Sequence, residues 1–352
     1  MDAVTRRRFL AAATGAVAGG LLARGDEVAA SAGFRGPLCL FSKHLPSLEA
    51  QSLARAVKLI GFAGIDLTVR PGGHVAPERA AEDLPPFLKA VRDEGVTVPM
   101  ITTALVSASE PTARPILETA GAHGVALFKP GYYRYAFADA RKELADMAIA
   151  LRGLVELGAQ CGVALGFHNH AGYIGGGVWD VVPIVDALPP RWAGYYFDVR
   201  HAVVEGGDGG WRSALSAVAP RLKMIAVKDF FWEKGPKGWQ QRNCPLGEGM
   251  VDWKAFYAAL ARSGFQGPVS LHLEYEIPGA TAAAKAEATL AAAARDLAVL
   301  KAGLAEAYGP SWRRASCRTT SSSKETPTCC RGSSTRDPTR SSPRASPLGS
   351  AR

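Results

Sequence analysis

Seven histidines punctuate the chain, and six of them (His44, His74, His168, His170, His201 and His272) stand where a strand-like run gives way to a loop. Only His123 falls inside a helix-like stretch. Imidazole exchanges a proton near neutral pH and binds divalent metals through nitrogen, so this placement points to acid–base or metal chemistry. Carboxylates accompany the histidines. Asp198 lies in Phe197-Asp198-Val199-Arg200-His201, and Glu274 follows His272 by two residues. Period-two alternation groups Gly166, His168 and His170 on one strand face, and Tyr196 with Asp198 on a second. A third face carries Met224, Ala226 and Lys228, and a fourth carries Ser270, His272, Glu274 and Glu276. Imidazole and carboxylate on neighbouring strand ends form a nitrogen and oxygen donor set suited to Zn²⁺, Mn²⁺, Fe²⁺ or Co²⁺.

Structural roles compete for the same residues. Asp66 and Arg70 can form an ion pair across a strand end, His44 and His74 can be solvated loop residues, and His272 can be satisfied within a core. Asp229 points away from Lys228 and is expected to cap a loop. Lys228 can neutralise a developing enolate oxygen or pair with Asp198 or Glu274.

Such side chains converge only if the strands run parallel with their C-terminal ends together. Strand-like runs recur eight times, near 37–43, 64–69, 96–104, 125–130, 163–168, 193–199, 222–228 and 268–275. Helical stretches fall between them, including 47–60, 84–94, 138–160, 251–263 and 281–307, the last with Thr281 as its N-cap; the segment after the fifth strand, 181–188, is short. Eight strand–helix units in this length predict an α/β fold: a single-domain (β/α)8 TIM barrel whose site lies at the C-terminal strand ends. A doubly wound sheet is disfavoured, because no Gly-x-Gly-x-x-Gly turn follows the first strand.

The ends of the chain differ from the body. Thr5-Arg6-Arg7-Arg8-Phe9-Leu10, an apolar run over 11–22 and small residues over 28–32 have the order of a twin-arginine signal peptide. Residues 1–32 are therefore assigned to export into the periplasm, without stable membrane insertion. Residues 311–352 are rich in Ser, Thr, Arg and Pro and carry a net charge of +7; they are expected to be a disordered tail or the product of a reading-frame error. Of the overall +9, only +1 then belongs to the barrel over 33–310, which argues against a nucleic-acid partner. The six cysteines form no disulfide framework. Tyr132, Tyr133, Tyr173, Trp179, Trp232 and Trp239 crowd the predicted loops, where aromatic faces suit a sugar.

The body resembles the sugar phosphate isomerase/epimerase superfamily, the xylose-isomerase-like barrels. The resemblance runs from about residue 37 to 307 and is carried by Gly64-Ile65-Asp66-Leu67-Thr68-Val69-Arg70, Phe167-His168-Asn169-His170, the Asp198 segment above, Val227-Lys228-Asp229, Pro245-Leu246-Gly247-Glu248-Gly249 and Leu273-Glu274. It implies one divalent ion (Mn, Zn, Mg, Fe or Co) held by Glu, Asp, His and Glu at the ends of strands five to eight. Asp198 and Glu274 match two of these positions, His168 falls at or near the first, and Ala226 stands where the histidine is usual. His170, His201 or His272 would complete the sphere, or the site binds metal weakly, or it works without one.

The expected metal set is therefore His168, Asp198 and Glu274. Glu274, His168, His170 and Lys228 are the expected catalytic groups. His201, Asp66, Arg70, His74 and Trp232 are expected to bind substrate, a small carbohydrate. The resemblance implies an isomerase or epimerase that removes a proton next to the carbonyl of a keto sugar or related polyol. A dehydratase or glycoside β-eliminase on the same scaffold, and a non-catalytic sugar-binding protein, are the alternatives.

Overall fold

A computed structural model describes residues 33–309 of the 352. The expected signal segment (1–32) and tail (311–352) lie outside the described residues. In chain order the strands are β1 (Leu38–Phe41), β2 (Gly64–Val69), β3 (Thr97–Thr103), β4 (Leu127–Lys129), β5 (Ala164–His168), β6 (Ala193–Asp198), β7 (Leu222–Val227), β8 (Asp229–Gly235), β9 (Gly238–Cys244) and β10 (Val269–Leu271). All but β8 and β9 close into one parallel barrel of order β1-β10-β7-β6-β5-β4-β3-β2, the (β/α)8 TIM barrel expected.

Helices α1 (Ala50–Ile60), α2 (Ala80–Asp93), α3 (Ala113–Ala122), α4 (Ala140–Cys161), α5 (Val182–Asp186), α6 (Val199–Val218), α7 (Trp253–Arg262) and α8 (Ala282–Tyr308) follow the strands. Their ends obey local chemistry. Asp139, Asp198, Asp252 and Thr281 each accept a backbone N–H in the first turn of the helix that follows, which satisfies an otherwise orphaned donor. α1 stops at Gly61, whose φ of 100° lets its N–H turn back to Val57 and Lys58. None of the helices among the described residues is long and apolar enough to cross a membrane. Cys39, Cys161 and Cys244 are unpaired.

Several boundaries depart from expectation. β10 ends at Leu271 rather than 275, because the Leu273 amide donates to His44 Nε2 instead of continuing the ladder. α2 begins at Ala80, with Pro85 and Pro86 in its second turn. β8 and β9 form an antiparallel hairpin where the sequence suggested an aromatic loop. Asp229, at its start, accepts from the amides of Phe230, Gly247, Gly249 and Val251 and from Trp253 Nε1, the loop-capping role expected of it.

The barrel interior fills from the bottom. Met100, Tyr196, Met224 and Ala226 pack as a buried apolar cluster separate from the strand–helix core. Gly166 makes room for it, since a Cβ there would lie 2.0 Å from Met224 Cε. The polar residues sit on this floor.

Candidate active site at the barrel mouth

Asp66 lies fully buried just above the floor. It accepts from Thr102 Oγ1 (2.7 Å), Tyr196 OH (2.9 Å) and Ser270 Oγ (2.9 Å). Burial disfavours its charge, but His272, Thr102 and Ser270 outweigh that and hold the carboxyl below its usual range. An ionised carboxylate only accepts, so the Tyr196 and Ser270 hydroxyl protons are committed to it. His272 Nε2, 3.1 Å from the Tyr196 oxygen and 3.2 Å from that of Ser270, must then carry the ring proton. Nδ1 keeps its lone pair, buried without a hydrogen-bond partner, 3.9 Å from Glu274 Oε1.

Asp198 organises the next layer. Asn169 clamps its backbone, donating to its carbonyl (2.9 Å) and accepting from its N–H (2.7 Å). Its Oδ1 caps α6 through the His201 amide. Its Oδ2 faces three donors: Lys228 Nζ at 3.2 Å, His168 Nε2 at 3.4 Å and His201 Nε2 at 3.7 Å. Burial would raise this carboxyl, yet Lys228, His201 and His168 hold it well below the carboxylate range.

The imidazole tautomers follow from their neighbours. Arg200 has only donors, and its Nη1 lies 3.1 Å from His201 Nδ1, so the His201 proton is on Nε2. His168 is fixed from its near side: the ionised Asp198 Oδ2, 3.4 Å from Nε2, only accepts, so Nε2 carries the ring proton and Nδ1 accepts from Tyr132 OH at 3.2 Å. Burial pushes His168 down to about 3 and His201 well below its ordinary value, so both rings are neutral near pH 7.

At the rim, Glu274 Oε1 lies 3.2 Å from Lys43 Nζ and 3.8 Å from Lys228 Nζ. Burial works against its charge, but Lys228, His272 and Lys43 keep it ionised. His170 donates Nδ1–H to the Ala171 carbonyl, which leaves Nε2 as an acceptor; its ring lies tilted against that of His201, with centroids 3.8 Å apart. Burial, then the charge of Lys228, lowers it to about 4.

The structure thus gathers His168, His170, Asp198, His201, Lys228, His272 and Glu274 at one mouth. It distributes the other expected residues differently. Asp66 supports the site from beneath and has no exposed atom to offer a ligand. Both ring nitrogens of His74 are engaged, by Thr68 Oγ1 and the Leu45 carbonyl, so it ties down the loop after β2. Among the described residues no carboxylate forms an ion pair with Arg70, which lies over the Phe41 ring. Trp232 sits on β8, 38% exposed, against Phe230. Sequence reasoning quoted Asn169 and Arg200 within motifs without giving them a role, and missed Lys129. Lys129 ends β4, and a lysine closing an apolar three-residue strand was a signal of that position.

The expected metal ligands are not assembled into a metal centre. The Lys228 ammonium stands between the Asp198 and Glu274 carboxylates, where a cation would bridge them. His168 and His201 turn protonated nitrogens, not lone pairs, toward Asp198, and Ala226 offers no donor atom. Among the described residues no group of three or more His, Cys, Asp or Glu side chains is placed to hold a metal ion. The residues present do not fit a resident divalent ion, in departure from the set expected.

Residues 54–301 match the sequence family described as the xylose isomerase-like TIM barrel. No curated protein sequence matches the chain. Solved structures share the fold at low identity. A xylose isomerase domain protein from Planctomyces limnophilus is 17% identical, with a TM-score of 0.58 over 78% of this chain and 99% of that one. An L-ribulose 3-epimerase is 17% identical, with a TM-score of 0.58 over 83% and 100%. A xylose isomerase-like TIM barrel protein from Mycobacterium smegmatis in complex with magnesium is 16% identical, with a TM-score of 0.53 over 74% and 98%.

Proposed function

The chain belongs to the xylose isomerase-like TIM barrel family, and from that premise we propose that it is an exported sugar isomerase or epimerase. It removes a proton next to the carbonyl of a keto sugar. The observation that carries this reading is the meeting of Glu274, Lys228 and the unprotonated Nδ1 of His272 at one barrel mouth. The epimerase among the structural neighbours supports it, and export rests on the Arg6-Arg7-Arg8 signal pattern.

Two acceptors 3.9 Å apart, Glu274 Oε1 and His272 Nδ1, call for a donor between them, and a sugar hydroxyl supplies one. Glu274 is the base. Its ion pairs weaken it while the site is empty of sugar. When Lys228 turns to the substrate oxygen, that constraint loosens and the carboxylate becomes more basic. Lys228 then lies against the enolate oxygen as its charge develops, in a setting that excludes most water. His170, across β6 and β7, presents its Nε2 lone pair, which first takes a proton from solvent and then delivers it to the enolate carbon, while Glu274 releases the proton it took to solvent. Delivery to the same carbon inverts it, and delivery to the neighbouring carbon isomerises the sugar. Because the donor set does not fit a metal, the positive charge in this scheme is the ammonium.

The test is NMR of keto sugars incubated with the protein in D₂O. Deuterium entering next to the carbonyl, with an epimer or isomer appearing, is the expected result. An enone product would assign the dehydratase or β-eliminase reading. Saturable binding without exchange would assign a binding protein.

A further inference from the structure

Beside the catalytic mouth, a cavity of about 220 Å³ is lined by Arg70, Lys129 and Arg134 together with Thr103, Tyr132 and Tyr173, and no carboxylate among the described residues lines it. Lys129 is only 2% exposed, yet none of the ion pairs or hydrogen bonds among the described residues engages its Nζ, which rests 3.4 Å from the centre of the Tyr132 ring. Arg70 likewise has no ion pair among the described residues and lies 5.5 Å from the Phe41 ring centre. Arg134 donates to the Tyr173 hydroxyl and covers that ring at 4.2 Å. Three cations around one small space repel one another, and Lys129 feels the Asp66 carboxylate only at a distance, without an ion pair among the described residues to offset its burial. Burial and the charge of Arg70 push Lys129 well below its ordinary value, and the Asp66 carboxylate offsets only part of this. Tyr132 also donates to His168, so it belongs to both compartments.

We propose that this cavity receives an oxyanion substituent, a carboxylate or a phosphate ester, carried by the sugar whose carbonyl reacts at Glu274. The inference rests on the isomerase or epimerase reading and narrows its substrate to an acidic sugar. Guanidinium forks suit planar or tetrahedral oxyanions, and Lys129 adds a point charge from below. Bringing an anion in relieves the mutual repulsion of the three cations.

The probes are the keto sugars fructose, fructuronate and fructose 6-phosphate, titrated calorimetrically against the full chain at two salt concentrations. One of the anionic sugars should bind roughly tenfold or more tighter than fructose, with the advantage shrinking at high salt. Which of the two is preferred identifies the group. In Arg134→Gln and Lys129→Met the ratio of anionic to neutral affinity should fall toward one; Arg134 lies at the surface, so its variant tests the idea even if Lys129→Met misfolds. Equal affinity for all three sugars, or a preference that survives in Arg134→Gln, overturns the proposal. Absence of deuterium exchange with every sugar despite a clear anion preference would instead overturn the reaction and leave the cavity's role standing.

Discussion

Lys228 Nζ lies 3.2 Å from Asp198 Oδ2, and the two side chains are 4% and 0% exposed. Removing one partner of such a pair leaves the other charge buried without compensation. Lys228→Met should therefore lower stability by about 3–5 kcal/mol. Its rate of deuterium exchange should fall by about 10²–10³. Lys228→Arg should recover most of the stability. Urea denaturation of the three proteins checks the first part. A Lys228→Met variant as stable and as fast as the parent would remove the pair from both roles.

The same ammonium leads to a prediction about metals. Protein purified without added metal and dialysed against a chelator should keep its activity and its melting temperature, and elemental analysis should find far less than one divalent ion per chain. Activity that tracks metal content, and returns on adding Mg²⁺ or Mn²⁺, would show that Lys228 moves aside for a true metal centre.

Glu274→Gln keeps the shape of the side chain but removes the base. Exchange should fall by about 10²–10⁴, with sugar affinity changing much less. His123→Ala, at the end of α3 and away from the mouth, serves as the control and should behave as the parent does. Near-normal exchange in Glu274→Gln would move the base elsewhere, with His170 next in line.

Stability should depend on pH with a sign set by the histidines. His44 and His168 are lowered to about 3 and His170 to about 4, in each case first by burial. Unfolded, these rings take up a proton below about 6.5. Between the two values the unfolded chain binds more protons, so stability falls as pH drops from about 6.5 toward 4, by up to about 1.4 kcal/mol per pH unit for each ring. A denaturation midpoint that stays flat across that window would mean the rings are already charged in the folded barrel.

Export is tested by replacing Arg6, Arg7 and Arg8 together with lysine. The protein should then remain in the cytoplasm, as fractionation and immunoblotting would show. Full periplasmic yield from that variant would rule out the twin-arginine route.

Much of this site could be read before any coordinates. Period-two alternation in a repeating strand–helix pattern is enough to aim His168, Asp198, Lys228 and His272 at one end of a barrel. Tautomers and charge states could not be read that way, because they depend on partners brought together through space. Tyr196 reaches Asp66 across 130 residues, and Tyr132 reaches His168 across 36. The role of Arg200 was hidden because its segment is the first turn of α6, whose run of glycines around the kinked Gly207 obscures its helical pattern. Trp232 was misplaced for a related reason: residues taken for a loop pair as β8 and β9, and the hairpin directs that indole against Phe230.

The apolar floor of Met100, Tyr196, Met224 and Ala226 bears on traffic as well as packing. With the bottom of the barrel stoppered, sugar and water have one doorway, and whatever has just been made must leave by the route the next molecule uses to enter. Occupancy by product and by substrate then exclude each other. Product inhibition should be purely competitive, and a turnover limited by departure should slow in proportion to the viscosity of the medium.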